Sequence, residues 1–204
     1  MVRRTKEDAL ATREAIMEAA AMLFEQQGVA GTTLQHIATA AGVTRGAIYW
    51  HFLDKGALFT ALMERAKMPM ETAMAVLDRE DTDDPLGDLR DCMLESLRLT
   101  ASDERMRRMF DICTRKMEMV GEMSVMRERL MDSHQRWMER AESRIRIGIR
   151  RGQVRPDVSP QAAALGMWCV MDGLIRIWLA SPATYDLCEA GRQMVDSQID
   201  CLRV

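Results

Sequence analysis

The sequence predicts an all-α protein, and three observations lead there. Apolar residues recur at three- and four-residue spacing in one segment after another, the period of a helix with a single buried face. Helix starts and stops carry the residue types they need: Thr33, Thr44 and Asp84 stand where a first turn requires a side-chain acceptor, while Gly28, Gly42 and Gly152 close apolar runs. Apolar residues make up 48% and charged residues 29% of 204, the balance of a soluble globular chain long enough for a sizeable core.

In chain order, Arg3 to Lys6 form a short basic arm, which is either a frayed, solvated tail or an arm that lies in an adjacent minor groove. The first helix runs roughly from Asp8 to Gln27 with Ile16, Ala20, Leu23 and Phe24 as its buried stripe and Gly28 as its stop. Val29 to Gly31 make a turn. Thr33 then caps a short second helix whose inward face is Leu34, Ile37, Ala38 and Ala41. Gly42 ends it in a turn that needs positive φ, Ala38 is small enough to let the next helix approach, and Val43 buries the turn. Thr44 caps a third helix with Ile48 and Phe52 inward, leaving Arg45 and Tyr49 one turn apart on the opposite face.

Two short helices about a glycine turn suggest a helix-turn-helix, and the exposed chemistry suits DNA. Arginine presents a planar fork that matches guanine O6 and N7, and threonine and alanine methyls can touch thymine methyls. Tyr49 and His51 add polar tips of the kind that hold phosphates, and Lys55, behind Asp54, sits where a fourth helix begins and its amides face outward. The bland alternative makes Tyr49, Trp50 and Phe52 core aromatics and Arg45 a solvated charge; the sequence leaves Trp50 open.

The run from Arg13 through Lys55, containing LFEQQGVAGTTL, IATAAGVTRGAIYWHF and DK, resembles the N-terminal domain of the TetR-family transcriptional regulators. It is most similar to the AcrR-like multidrug efflux repressors, and VGEM at Val120 to Met123 is similar to that subgroup too. The resemblance implies an all-helical homodimer whose N-terminal domains bind a palindromic operator and whose C-terminal domains hold a small apolar or amphipathic inducer. It also implies roles: Thr44 and Arg45 on bases, Gly46 allowing close approach, and Thr33, Tyr49, His51 and Lys55 on the DNA backbone. The expected division is a helix-turn-helix DNA-binding domain over 1–55 and a ligand-binding and dimerisation domain over 56–204.

A fourth helix starts near Asp54 with Leu58, Phe59, Leu62, Met63 and Ala66, continuous with the reading domain. Pro69 interrupts it, which predicts a helix end or a hinge; in the resembled family this helix is the lever between ligand and operator. The acidic loop from Asp78 to Asp88 leads into a fifth helix capped by Asp84 and opened by Pro85. Helices over Leu86 to Leu99, Glu104 to about Met119 and Met123 to Arg151 follow, the last with a stripe of Met126, Leu130, Met131, Trp137, Met138, Ala141 and Ile145. Sixteen of the nineteen methionines lie beyond Lys55, and flexible thioethers can repack around ligands of differing shape, although a methionine stripe is also ordinary core. By helix face, and on the strength of the resemblance, the inducer pocket is assigned to Met63, Lys67, Met109, Phe110, Cys113, Leu130, His134, Met138 and Met171, with Lys67 either favouring an anionic ligand or pairing with an acidic neighbour.

Pro160 opens a helix apolar nearly all round, whose strictly apolar run is too short to cross a bilayer and whose Asp172 and Arg176 stand one turn apart. With Leu187, Ala190, Met194 and Leu202 of the last helix it suggests a subunit interface; the resemblance implies a four-helix one.

Net charge is −3, with 28 basic against 31 acidic side chains, so no global field draws the chain to nucleic acid. Attraction rests instead on the placement of Arg3, Arg4, Lys6, Arg45 and Lys55. The N-terminus opens on charges without an apolar signal core, which predicts a cytoplasmic protein. Five cysteines at wide spacing and three scattered histidines predict reduced thiols and no metal site. No nucleophile, carboxylate pair or phosphate loop argues for an enzyme or a cofactor. The function expected is a ligand-responsive repressor, through the resemblance one of a multidrug efflux operon; the rivals are a constitutive DNA-organising protein and a metabolite- or redox-sensing regulator, the last acting through Cys113.

Overall fold

The computed structural model describes residues 6–79, 81–116 and 124–204. These residues form helices α1 (Lys6–Gly31), α2 (Leu34–Ala40), α3 (Arg45–His51), α4 (Lys55–Met74), α5 (Pro85–Ser102), α6 (Glu104–Asp111), α7 (Ser124–Arg150), α8 (Pro160–Ala180) and α9 (Leu187–Leu202). A 3-10 turn, Ala75–Asp78, follows α4, and a π-helical turn, Ile112–Lys116, follows α6. No strand occurs among the described residues, only an isolated bridge between Val154 and Arg203. The basic arm at Arg3 and Arg4, the predicted helix end near Met119, the VGEM phrase, Met123 and the side chain of Met126 lie outside the described residues.

The chain divides into two compact units, Met1–Lys67 with Arg108–Glu128, and Met68–Arg107 with Arg129–Val204. The division by compactness therefore falls at Lys67 rather than after Lys55. It also places Arg108–Glu128 with the N-terminal unit.

In the N-terminal unit the expected stripes meet. Ile16, Ala20 and Phe24 of α1, Ile37 and Ala38 of α2, Ile48 of α3, and Leu58 and Phe59 of α4 are all fully buried in one cluster. Phe24 and Phe59 pack with ring centroids 5.7 Å apart. Gly28 breaks α1 with φ 78°, as its position as a stop requires, and a helical turn resumes as far as Gly31. A Cβ at Gly28 would lie 3.2 Å from the Lys116 carbonyl oxygen, so the close approach of the π-helical turn also calls for glycine. Ion pairs tie the outer faces together: Arg65 on α4 meets Glu14 at 2.8 Å and Glu18 at 2.9 Å, and Arg108 meets Glu25 at 2.8 Å.

The C-terminal unit is built on α5, α8 and α9, which pack on one another. Asp84 caps α5 as expected, accepting the Gly87 amide at 2.9 Å. A Cβ at Gly191 would come within 2.2 Å of Leu97 Cδ1, so the approach of α9 to α5 depends on a residue without a side chain there. Ser159 caps α8, and Arg176 meets Asp172 at 2.6 Å, the pair anticipated at one-turn spacing. The best 18-residue window of α8 has a mean hydropathy of 1.4, long and apolar enough by composition to cross a membrane, yet it carries this ion pair and packs on α5 and α9.

Two expectations are corrected, Pro69 as a helix end and Met131 as an inward residue. Pro69 does not end α4, which runs on to Met74; proline's φ is helical, and its ring costs the helix a single hydrogen bond. Met131, placed in the inward stripe of α7, is 52% exposed. The buried line runs through Trp137, Met138, Ala141 and Ile145, and at 100° per residue Met131 projects about 65° to one side of its centre. On α9 the buried line is Leu187, Gly191, Val195 and Ile199. Met194, expected at a subunit interface, is 45% exposed beside that line.

Candidate nucleic-acid interface

The reading head is assembled by local bonds. Thr33 Oγ1 accepts the His36 amide at 3.1 Å while His36 Nδ1 accepts the Thr33 amide at 3.4 Å, a reciprocal cap with histidine in the place usually held by glutamate. Gly42 takes φ 66° and donates to the Thr39 carbonyl at 3.2 Å, and Val43 donates to the Ala38 carbonyl at 3.0 Å. Nothing lies within 4 Å of a Cβ built there, so left-handed conformation rather than space calls for glycine at the turn. Thr44 Oγ1 accepts the Ala47 amide at 3.2 Å and starts α3.

With Ile48 and Phe52 buried, α3 presents Arg45 and Tyr49 outward. Arg45 Nη2 donates to the Tyr49 hydroxyl at 2.8 Å, and its guanidinium carbon lies 5.4 Å from the ring centroid. The two contacts lay the guanidinium along the ring on the outward face of α3. Trp50 is 74% exposed, with its ring edge-on to His51 at 4.6 Å, which excludes the core role that sequence had left open for it. Gly46 is exposed on the same short helix.

Lys55 has partners that the sequence did not reveal. Its ammonium donates to the carbonyls of Val29 at 2.8 Å and Thr32 at 3.0 Å, satisfying acceptors left over where α1 ends. Two of its three N–H bonds are taken there and one can still face a phosphate. Asp54 Oδ1 accepts the Ala57 amide at 2.7 Å, so the start of α4 is capped by a carboxylate. Arg13 of α1 lies over the Phe52 ring at 5.1 Å and fastens the end of α3.

The residues assigned to an inducer pocket divide between the units. Met63 and Cys113 pack on the N-terminal core and Met109 belongs to it, with the Cys113 thiol 3.7 Å from the Met109 sulfur. Lys67 and Phe110 are half-buried in the same unit. In the C-terminal unit Met138 and Met171 are buried and Leu130 half-buried. There the His134 ring stands edge-on to Trp168 at 4.6 Å, Trp168 lies 5.5 Å from Trp137, and His134 Nε2 is buried with no hydrogen-bond partner among the described residues. Trp168 escaped the sequence reading because α8 is apolar on nearly every face and no period singles it out.

All five cysteines are free. Burial pushes the Cys113 thiol up to about 12 and that of Cys92 up to about 11, which withholds the thiolate that a redox sensor needs.

Two short capped helices about a left-handed glycine, braced by α1 and displaying an arginine on the second helix, define a helix-turn-helix DNA-binding protein. The chain belongs to the TetR family of bacterial transcriptional regulators. Residues 16–62 match the family described as bacterial regulatory proteins, tetR family, and residues 84–204 match the C-terminal region of MAATS-type transcriptional repressors. The chain is 38% identical to the HTH-type transcriptional regulator TtgR of Pseudomonas putida, over 100% of its own length and 97% of the relative's. Among solved structures it resembles NalD, the secondary repressor of the MexAB-OprM multidrug efflux pump in Pseudomonas aeruginosa, with TM-score 0.87 and 32% identity over 97% of this chain and 98% of that one. It also resembles SmeT, the repressor of the Stenotrophomonas maltophilia multidrug efflux pump SmeDEF, in its complex with triclosan: TM-score 0.84 and 31% identity over 95% and 92% of the two chains.

Proposed function

We propose that this chain is a cytoplasmic, homodimeric repressor of a multidrug efflux operon, released from a palindromic operator by a small apolar or amphipathic molecule. The observation that carries the reading is the likeness to NalD and SmeT over nearly the whole chain, C-terminal unit included, since a shared reading head alone would speak only for DNA. On the DNA side, Arg45 and Thr44 read bases, Gly46 allows close approach, and Thr33, Tyr49, His51 and Lys55 hold the backbone; the outward-facing, hydrogen-bonded Arg45–Tyr49 pair supports this division. On the ligand side, Leu130, His134, Met138 and Met171 of the C-terminal unit, together with Trp137 and Trp168, supply polarizable apolar surface and, in His134 Nε2, one polar atom without a partner among the described residues. Met63, Lys67, Met109, Phe110 and Cys113, which lie in the N-terminal unit, are assigned to the inducer by helix face alone.

Dimerisation is supported by the uncovered faces of α8 and α9, where Leu165, Ile177 and Met194 are 48%, 60% and 45% exposed. A palindrome needs two reading helices about 34–36 Å apart, which one chain does not present. Met194→Glu should therefore give monomers by sedimentation that bind half-sites poorly; an unchanged dimer would place the interface elsewhere.

A ligand alters DNA affinity only by favouring one conformation, and the effect is reciprocal. Calorimetric titration of triclosan, a cationic dye and an anionic drug, each with and without operator, tests this. Operator should weaken binding of the active compound by the factor, roughly 5- to 150-fold, by which the compound weakens operator binding. Equal ligand affinities in the two titrations would refute control by ligand and favour a constitutive DNA-organising protein.

A further inference from the structure

Helix α4 ends in the C-terminal unit in an arrangement that helix ends do not ordinarily have. The last carbonyls of a helix lack partners within it and are usually left to water. Here those of the 3-10 turn are taken by a single buried arginine of α7. Arg144 is 1% exposed; its Nε donates to the Leu77 carbonyl at 3.2 Å, and its Nη2 donates to the carbonyls of Val76, at 3.0 Å, and Arg79. Its Nη1 faces Asp88 Oδ2 of α5 at 3.1 Å, an ion pair outside hydrogen-bond geometry that neutralises the buried charge. One turn earlier on α7, Arg140 holds Asp78 at 2.7 Å and Glu71 of α4 at 3.3 Å. Two arginines thus seize the end of α4 through groups 62 to 69 residues distant in sequence. Only a planar five-donor fork can serve three carbonyls and a carboxylate at once.

We propose that Arg144 is a positioning residue for the regulatory response: with Arg140 it makes the end of α4 move with α7. The inference rests on the proposed ligand response, because α7 also carries His134 and Met138 within three turns of Arg144. A displacement of α7 by a bound molecule is then delivered to α4, the helix that begins at Lys55 beside the reading head. A buried ion pair retained for the sake of stability alone has hydrophobic replacements that serve as well.

The test uses the full-length protein, an operator selected from random DNA by the wild type, triclosan as the probe, and the variants Arg144→Lys and Arg140→Gln. Arg144→Lys keeps a cation opposite Asp88 but loses the fork; Arg140→Gln changes a partly exposed residue and keeps the protein testable should Arg144→Lys fold poorly. Amide hydrogen exchange over 74–79 should quicken at least about tenfold in Arg144→Lys and less in Arg140→Gln, with α1 to α3 unchanged. The factor by which saturating triclosan weakens operator binding should fall toward 1 in Arg144→Lys, while triclosan affinity without DNA stays near that of the wild type. Variants that keep the wild-type factor, or wild-type exchange at 74–79, overturn the proposal; a merely structural role would quicken exchange throughout the C-terminal unit and leave the factor intact. A wild-type factor of 1 with triclosan would instead count against the ligand-response reading itself, and unchanged exchange in the variants would then separately refute the tether.

Discussion

The reading head and the C-terminal unit are both helical, but they are specified over different ranges of sequence. In α2 and α3 most side-chain bonds are local: Thr33 to His36, Thr44 to Ala47, Thr39 to Gln35 and Arg45 to Tyr49 all span three or four residues, and Gln27 reaches His36 across nine. In the C-terminal unit the decisive bonds are remote, Arg144 to Leu77 across 67 residues and Arg90 to Asp196 across 106. A short segment can therefore hold its shape largely from its own residues and be recognised as a motif. The C-terminal unit has to be folded before its polar partners are identifiable. The cores differ in the same sense: two phenylalanines lock the first, whereas methionine recurs through the second at Met93, Met106, Met138, Met167 and Met171.

The largest effect that would sharpen this contrast is in the cores. Phe59→Ala should destabilise the protein by about 3–5 kcal/mol in urea unfolding, because Phe59 is fully buried against Phe24 and a rigid cavity would remain. Met138→Leu, a volume-conserving change in the other unit, should cost less than about 1.5 kcal/mol. Comparable losses would mean that the methionine-rich core is packed as tightly as the aromatic one.

Next in size is the DNA contact. Arg45→Ala should weaken operator binding by about 1–3 kcal/mol and relax base preference. Lys55→Ala should weaken all DNA alike and lower the salt dependence by about one counterion. Since Lys55 also holds the carbonyls of Val29 and Thr32, its variant should in addition lower the melting temperature, which Arg45→Ala should not. Identical changes in sequence preference in both would break the division between reading and positioning.

Local capping makes a smaller prediction. Thr44→Ala should cost about 1 kcal/mol of stability, and Thr44→Gly only a few tenths, by thermal unfolding. A negligible cost in Thr44→Ala would show that packing of Ile48, rather than the cap, starts α3.

The smallest expected effect concerns the thiols. At pH 8 a disulfide reagent should label the exposed Cys188, which lies off the Met194 face of α9, while Cys113 and Cys92 stay protected, with no loss of operator binding. Burial raises the Cys113 and Cys92 thiols above their unfolded values, so the folded state binds more protons there. Their contribution to stability is complete below about pH 9 and falls as pH rises toward about 11 and 12. Rapid labelling of native Cys113 with loss of DNA binding would restore the redox reading.

What the sequence determined by itself was whatever has a range of a few residues: helices and their buried faces, the caps at Thr33, Thr44 and Asp84, the left-handed turn at Gly42, and the outward face of Arg45 and Tyr49. These follow from the helical period and from backbone groups that a neighbouring side chain must satisfy. The sites assigned on that ground remain proposals as to what they bind, yet their placement on the reading helix was legible. Only the tertiary structure decided that Pro69 lies inside α4, since one lost hydrogen bond is outweighed by a helix held at both ends. It alone placed the Lys55 ammonium on the carbonyls of Val29 and Thr32 and turned Met131 and Met194 outward. It alone buried Arg144 against the end of α4. In each case the partner lies on another element, and no periodicity within one helix records which surface a distant helix will bring to it.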